Sequence, residues 1–139
     1  MNYMLCTTTT TDPIIVFSEN RSRISVVNNN RIEIEKIQVD GCLIDVKLEK
    51  CDWLFCYGDN AKKAVFIELK GCDLDKAISQ LRSTINHTKE RYRAYKKECY
   101  AITTRVPKHG ASIRKRSIDF FNQTGATLSV KNSPHSINI

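Results

Sequence analysis

The stretch at residues 64–71, AVFIELKG, decides how the rest of the chain is read. A β-strand turns successive side chains to opposite faces, so Val65, Ile67 and Leu69 share one face and Phe66, Glu68 and Lys70 the other. An acid and a base therefore emerge together at the end of an apolar strand, just before Gly71. Two readings are open. One is a half-exposed strand carrying a surface ion pair worth about 0–1 kcal/mol; the other is a catalytic cleft.

Towards the N-terminus, CDWLFCY (residues 51–57) is apolar enough for a buried strand, and Gly58-Asp59-Asn60 supplies a turn, so the two segments form a hairpin. Asp52 begins the first strand and fifteen residues separate it from Glu68. Pairing would bring the two carboxyl groups to about 4–6 Å at one end of the sheet, close enough to share a cation. Further back, residues 14–17 and 24–27 read as short strands and Asn28-Asn29-Asn30 as a turn. The next run, RIEIEKIQVDGCLID, alternates at Ile32 and Ile34 as a strand does, although Glu33, Lys36 and Ile37 also suit a short helix; we read a strand.

Towards the C-terminus, Asp73 is a natural N-cap, and Leu74, Ile78, Leu81, Ile85, Tyr92 and Tyr95, with Thr88 filling one turn, recur at helical spacing. This predicts one long helix. ECYAITTRV (98–106) reads as a third core strand broken by Pro107 and Gly110; 112–122 as a second helix ended by Gly125; 127–130 as a closing strand; and KNSPHSINI as a loosely held tail. The expected fold is α/β, a central mixed β-sheet flanked by helices, in one domain over 1–139 with flexible ends at about 1–12 and 132–139.

At 139 residues, 41% hydrophobic and 27% charged, the composition is that of a globular domain and excludes wholesale disorder or a fibrous protein. A surplus of 22 Lys and Arg over 15 Asp and Glu, net +7, favours polyanionic partners. MNYMLCTTTTT lacks the basic start and apolar core of a signal peptide, Leu5-Cys6 is too near Met1 for a lipoprotein site, and no apolar run approaches the ~20 residues of a membrane span. The expectation is a cytoplasmic protein with no membrane partner and with its six cysteines reduced. The four central cysteines, separated by eight, four and fifteen residues without a C-x-x-C pair, argue against structural zinc.

Two carboxylates with a backbone carbonyl between them make a hard-oxygen site suited to Mg²⁺. Taken singly, Asp52 is a turn or cap residue and Glu68 with Lys70 a solvated pair. The order favours a site: aspartate, strand, turn, Glu68-Leu69-Lys70, then a helix.

That order, over roughly residues 50–106, resembles the PD-(D/E)XK nucleases, the restriction-endonuclease-like fold shared by many restriction enzymes, Holliday-junction resolvases and RecB-type nuclease domains. The resemblance implies that Asp52, Glu68 and the carbonyl of Leu69 hold Mg²⁺ or Mn²⁺, and that Lys70 orients or helps deprotonate the attacking water. Gln80 resembles the glutamine some members place near the metal. The tyrosine four residues later in the RecB-like subgroup is here Thr84, and the usual proline before the aspartate is Cys51. Many members carry a glutamate before the hairpin, for which Glu35 is the candidate, with Glu33 behind it. The implied activity is phosphodiester hydrolysis in phage defence, restriction or repair, by a homodimer or a larger complex if both strands of a duplex are cut.

Lys89, Arg91, Arg93, Lys96, Lys97, Arg105, Lys108, Arg114, Lys115 and Arg116 follow the motif and could track a phosphate backbone, DNA foremost, with little sequence readout. Charge runs are more commonly solvated faces. His87 and His109 could touch phosphate or be ordinary surface histidines; Tyr92, Tyr95 and Tyr100 read as core. The competing functions are a catalytically silent nucleic-acid-binding or assembly subunit on the same fold and, further off, an antitoxin-like regulatory protein. Retention of aspartate, glutamate and lysine together favours the nuclease.

Overall fold

The computed structural model describes residues 1–69, 73–105 and 110–139. The hairpin forms β5 (Trp53–Tyr57) and β6 (Lys63–Leu69), antiparallel, with Trp53 opposite Ile67 and Tyr57 opposite Lys63. Gly58 turns the chain at φ +106°, where a Cβ would lie 2.6 Å from the Ala61 carbonyl oxygen. From Ala64 to Leu69 every residue of β6 is buried, so the half-exposed strand does not exist. The cause is a layer on each face. Ala64 and Phe66 enter a core against the helices, whereas Val65, Ile67 and Leu69 enter a second core against another sheet.

Among the described residues the main sheet has six strands. β4 (Ile34–Gln38) pairs antiparallel with β5 and with β1 (Thr7–Thr10); β7 (Lys96–Thr103) and β8 (Thr127–Asn132) continue from β6 in parallel. Its helix side carries α1 (Tyr3–Cys6), α2 (Leu74–His87) and α3 (Gly110–Thr124). The other side is covered by a three-stranded sheet of β2 (Ile14–Glu19), β3 (Ser22–Val27) and β9 (His135–Asn138). Phe17 of β2 stacks on Phe55 at 5.4 Å and meets Trp53 at 5.6 Å. The fold is α/β, with a mixed sheet between a helical layer and a small second sheet. Among the described residues no helix is long and apolar enough to cross a membrane.

Local chemistry accounts for the element ends. Buried Asn28 closes the turn after β3: its amide donates to Asp12 O and Ile32 O, and its Oδ1 accepts from Ile32 N. Asp73 caps α2 through Lys76 N at 3.0 Å. Gly125, at φ +75°, ends α3 by donating to Phe121 O.

Three expectations are corrected. The long helix stops at His87 with Thr88 as its C-cap, whose N–H and hydroxyl both donate to Thr84 O (3.0 and 2.8 Å); the chain then turns so that buried Tyr92 packs edge-on against Phe66, Tyr3 and Tyr95. The ends are tied into sheets: β1 pairs with β4, and β9 runs parallel to β3, Ile24 opposite His135. Cys6 and Cys42 are joined by a disulfide, because β1 pairing brings Cys6 to the turn at Val39–Leu43 with 5.7 Å between Cα atoms. Cys51, Cys56 and Cys99 are free and buried; Cys72 lies outside the described residues.

Candidate active site

Asp52 lies one step before β5, whose ladder with β6 ends at Trp53 opposite Ile67, and its N–H donates to Ile67 O at 3.1 Å, which holds it beside the end of β6. The Asp52 and Glu68 side chains both point to the helix face. Glu68 is 1% exposed and Asp52 9%. Leu69 N–H donates to Asp52 Oδ2 at 2.8 Å, and the Glu68 side chain lies near enough to Asp52 to act on its pKa. Burial raises the Asp52 pKa, and the charges of Glu19 and Asp40 raise it further; the Leu69 N–H and the Glu68 side chain oppose them.

The backbone entering this position is fixed on two sides. Val39 N and Asp40 N both donate to Asp52 O at 3.2 Å. On the other side α2 grips residues 49–51: Thr84 Oγ1 accepts Cys51 N at 2.7 Å, Gln80 Nε2 donates to Lys50 O at 3.1 Å, and Ser83 Oγ donates to Glu49 O at 2.7 Å. Ser79 bonds the Glu49 carboxylate. Lys50 bonds the carbonyls of Val46 and Leu48 and faces Asp40 at 3.8 Å. Gln80 thus positions the chain before Asp52, and its Oε1 is buried without a hydrogen-bond partner among the described residues.

Thr84, Ser83, Asp40 and Glu19 belong to this region and were not singled out as site residues from sequence. Asp40-Gly41 ahead of the hairpin was a usable signal.

Glu35 is not at the site. It pairs with Cys56, so the antiparallel register carries it about 13 Å along the sheet from Asp52. With Glu33 and Asp59 it lines a recess of about 380 Å³ at the turn end of the hairpin. The proposed basic track also divides. Lys96 and Lys97 begin β7, opposite Lys63 and Ala64, and Lys89, Arg91, Arg93 and His87 precede them; these lie at the turn end. Arg91 sits on the Tyr3 ring at 3.8 Å. Arg105 follows β7, and Arg114, Lys115 and Arg116 lie in the first half of α3, at the carboxylate end. Arg116 is engaged there, bonding both Asp75 oxygens at 2.8 and 3.3 Å and also Ser112. Tyr92 is core, and Tyr95 and Tyr100 pack against the two cores. Lys70, Lys108 and His109 lie outside the described residues.

Among the described residues no group of three or more His, Cys, Asp or Glu side chains is placed to hold a metal. In comparisons with known proteins, no family model, curated protein or solved structure matches the chain.

Proposed function

We propose that this chain is a Mg²⁺- or Mn²⁺-dependent nuclease of the PD-(D/E)XK type that hydrolyses phosphodiester bonds, with DNA as the first substrate to test. One observation carries the reading: two buried carboxyls, Asp52 and Glu68, meet at the end of a hairpin whose second strand leads into a helix and two parallel strands. The donor set fits the ion. Asp52, Glu68 and the Leu69 carbonyl are hard oxygen ligands of the kind Mg²⁺ and Mn²⁺ take. The bound ion would supply a hydroxide nucleophile and neutralise charge on the phosphate.

The protein's own residues act as a mount. Leu69 N–H holds Asp52 Oδ2 and leaves the rest of the carboxylate available; the α2 contacts to residues 49–51 fix where Asp52 starts; burial keeps bulk water from the pair. In this reading Lys70 faces the reacting phosphate, a role that rests on the sequence resemblance. Arg105, Arg114 and Lys115 at the same end would meet the backbone of the nucleic acid, and cutting of both strands would take a homodimer.

The test is cleavage of single- and double-stranded DNA and RNA with Mg²⁺ or Mn²⁺, alongside a thermal-shift titration with Mn²⁺. Wild type should cut at least one substrate. Asp52→Asn and Lys70→Ala should each lose more than the roughly 10–100-fold that an outer-shell partner costs. Mn²⁺ should raise Tm in wild type but not in Asp52→Asn. Binding without cleavage by wild type would move the assignment to a silent nucleic-acid-binding module. Cleavage surviving both substitutions would place the activity elsewhere.

A further inference from the structure

At the end of the sheet opposite the carboxyl pair, a cavity of about 250 Å³ is lined by Asn86, Lys89, Arg93, Lys97 and Gln123, with apolar Ile85 on one wall. Its polar groups come from separate parts of the fold: the last turn of α2, the coil after it, the start of β7 and the last turn of α3. No acid lines it. We propose that this cavity is a phosphoryl-binding site, distinct from the Asp52–Glu68 pair and independent of the nuclease reading.

Three cations converge without being spent on the fold. Arg93 pairs with Glu90 at 2.6 Å, but both side chains are more than 70% exposed, and such a pair yields readily to a dianion. Lys97 gives one hydrogen bond to Tyr95 O at 3.3 Å, leaving two of its donors. Lys89 makes no ion pair among the described residues. Helix C-termini nearby would ordinarily claim such cations, yet carbonyls there are already served: Thr84 O by Thr88, Phe120 O by Thr124, and Phe121 O by Gly125.

The ligand class follows from donors and size. The site offers an arginine fork, two ammonium groups and two side-chain amides. Its volume falls below the roughly 300–1,000 Å³ of sites that enclose drug-sized ligands, so it suits a phosphoryl group with the remainder of the molecule outside. That group could belong to a free phosphomonoester or to a nucleic-acid backbone. Along β7, Lys97 lies four residues from Ala101, the partner of Glu68, or about 13 Å, so one phosphate cannot occupy both ends.

The experiment is a ¹H–¹⁵N NMR titration of the full chain with inorganic phosphate, with a phosphomonoester, and with a short DNA duplex lacking terminal phosphates. Saturable shifts centred on Asn86, Lys89, Arg93 and Gln123, at least tenfold weaker in Lys89→Gln/Lys97→Gln and unchanged in Asp52→Asn, support the site. The exposed substitution Arg93→Gln gives a second variant. Saturation by phosphate and phosphomonoester alone identifies a free ligand; the same shifts with duplex, falling steeply with salt, identify the backbone. Non-saturating shifts with every probe, or midpoints unmoved by the cation substitutions, would overturn it.

Discussion

The two ends of β6 and β7 are built from the same pair of parallel strands and differ in which charged groups they bury. At the end where β6 finishes, Asp52 and Glu68 are buried, and Asp40 and Glu19 add negative charge. At the other end Lys63, Lys96 and Lys97 begin the strands, with Lys89 and Arg93 nearby, and all but partly buried Lys63 and Lys97 are exposed. Burial makes the difference consequential. Lysine and arginine keep their charge in water at little cost, whereas burial favours the neutral form of a carboxyl, as it does at Asp52.

The largest expected effect breaks the mount of the Asp52 end. Thr84→Val keeps the volume but removes the acceptor of Cys51 N, leaving a buried N–H unsatisfied at a cost of about 1–3 kcal/mol. Denaturant unfolding should show that loss, and any metal-dependent cleavage should fall with it. A Thr84→Val protein as stable as wild type would show that α2 does not hold the chain before Asp52.

The next effect concerns pH. Because the folded pKa of Asp52 is raised, the native state holds its proton more tightly than the unfolded chain. The stability this group contributes is therefore greatest below the ordinary carboxylate range and is lost as pH rises through the folded value. Asp52→Asn still accepts from Leu69 N–H while removing the charge, so the difference in stability between variant and wild type should move in the variant's favour as pH rises. A difference curve flat with pH would mean that Asp52 has the same pKa in the folded and unfolded states.

The smallest effect lies at the start of α2. The Arg116 guanidinium holds the Asp75 carboxyl below its ordinary pKa, through a hydrogen bond first and charge second. Arg116→Gln should return Asp75 to the usual carboxylate range in a ¹³C NMR titration. The stabilising contribution is present above the unfolded pKa of Asp75 and lost as pH falls, the reverse of Asp52. If Asp75 does not move, the ion pair is not formed in solution, and Arg116 returns to the set free to meet nucleic acid.

Much of this molecule was legible in short windows. Period-two alternation and Gly58-Asp59-Asn60 set the hairpin, Asp73 the start of α2 and Gly125 the end of α3. Such signals are local: they depend on sterics and hydrogen bonds within a few residues. What the tertiary structure decided is which strand ends meet. Glu35 reads as well as Asp40 in the sequence, but β4–β5 register puts Glu35 at the cationic end and the Asp40 backbone against Asp52. The Tyr92–Tyr95 stripe has helical spacing, yet Thr88 and the aromatic cluster end the helix before it. Cys6 meets Cys42, and residues 135–138 find β3, only because distant segments close around the two cores. Register and strand order are set by packing between residues far apart in the chain, and the pattern of any one segment is compatible with several such arrangements.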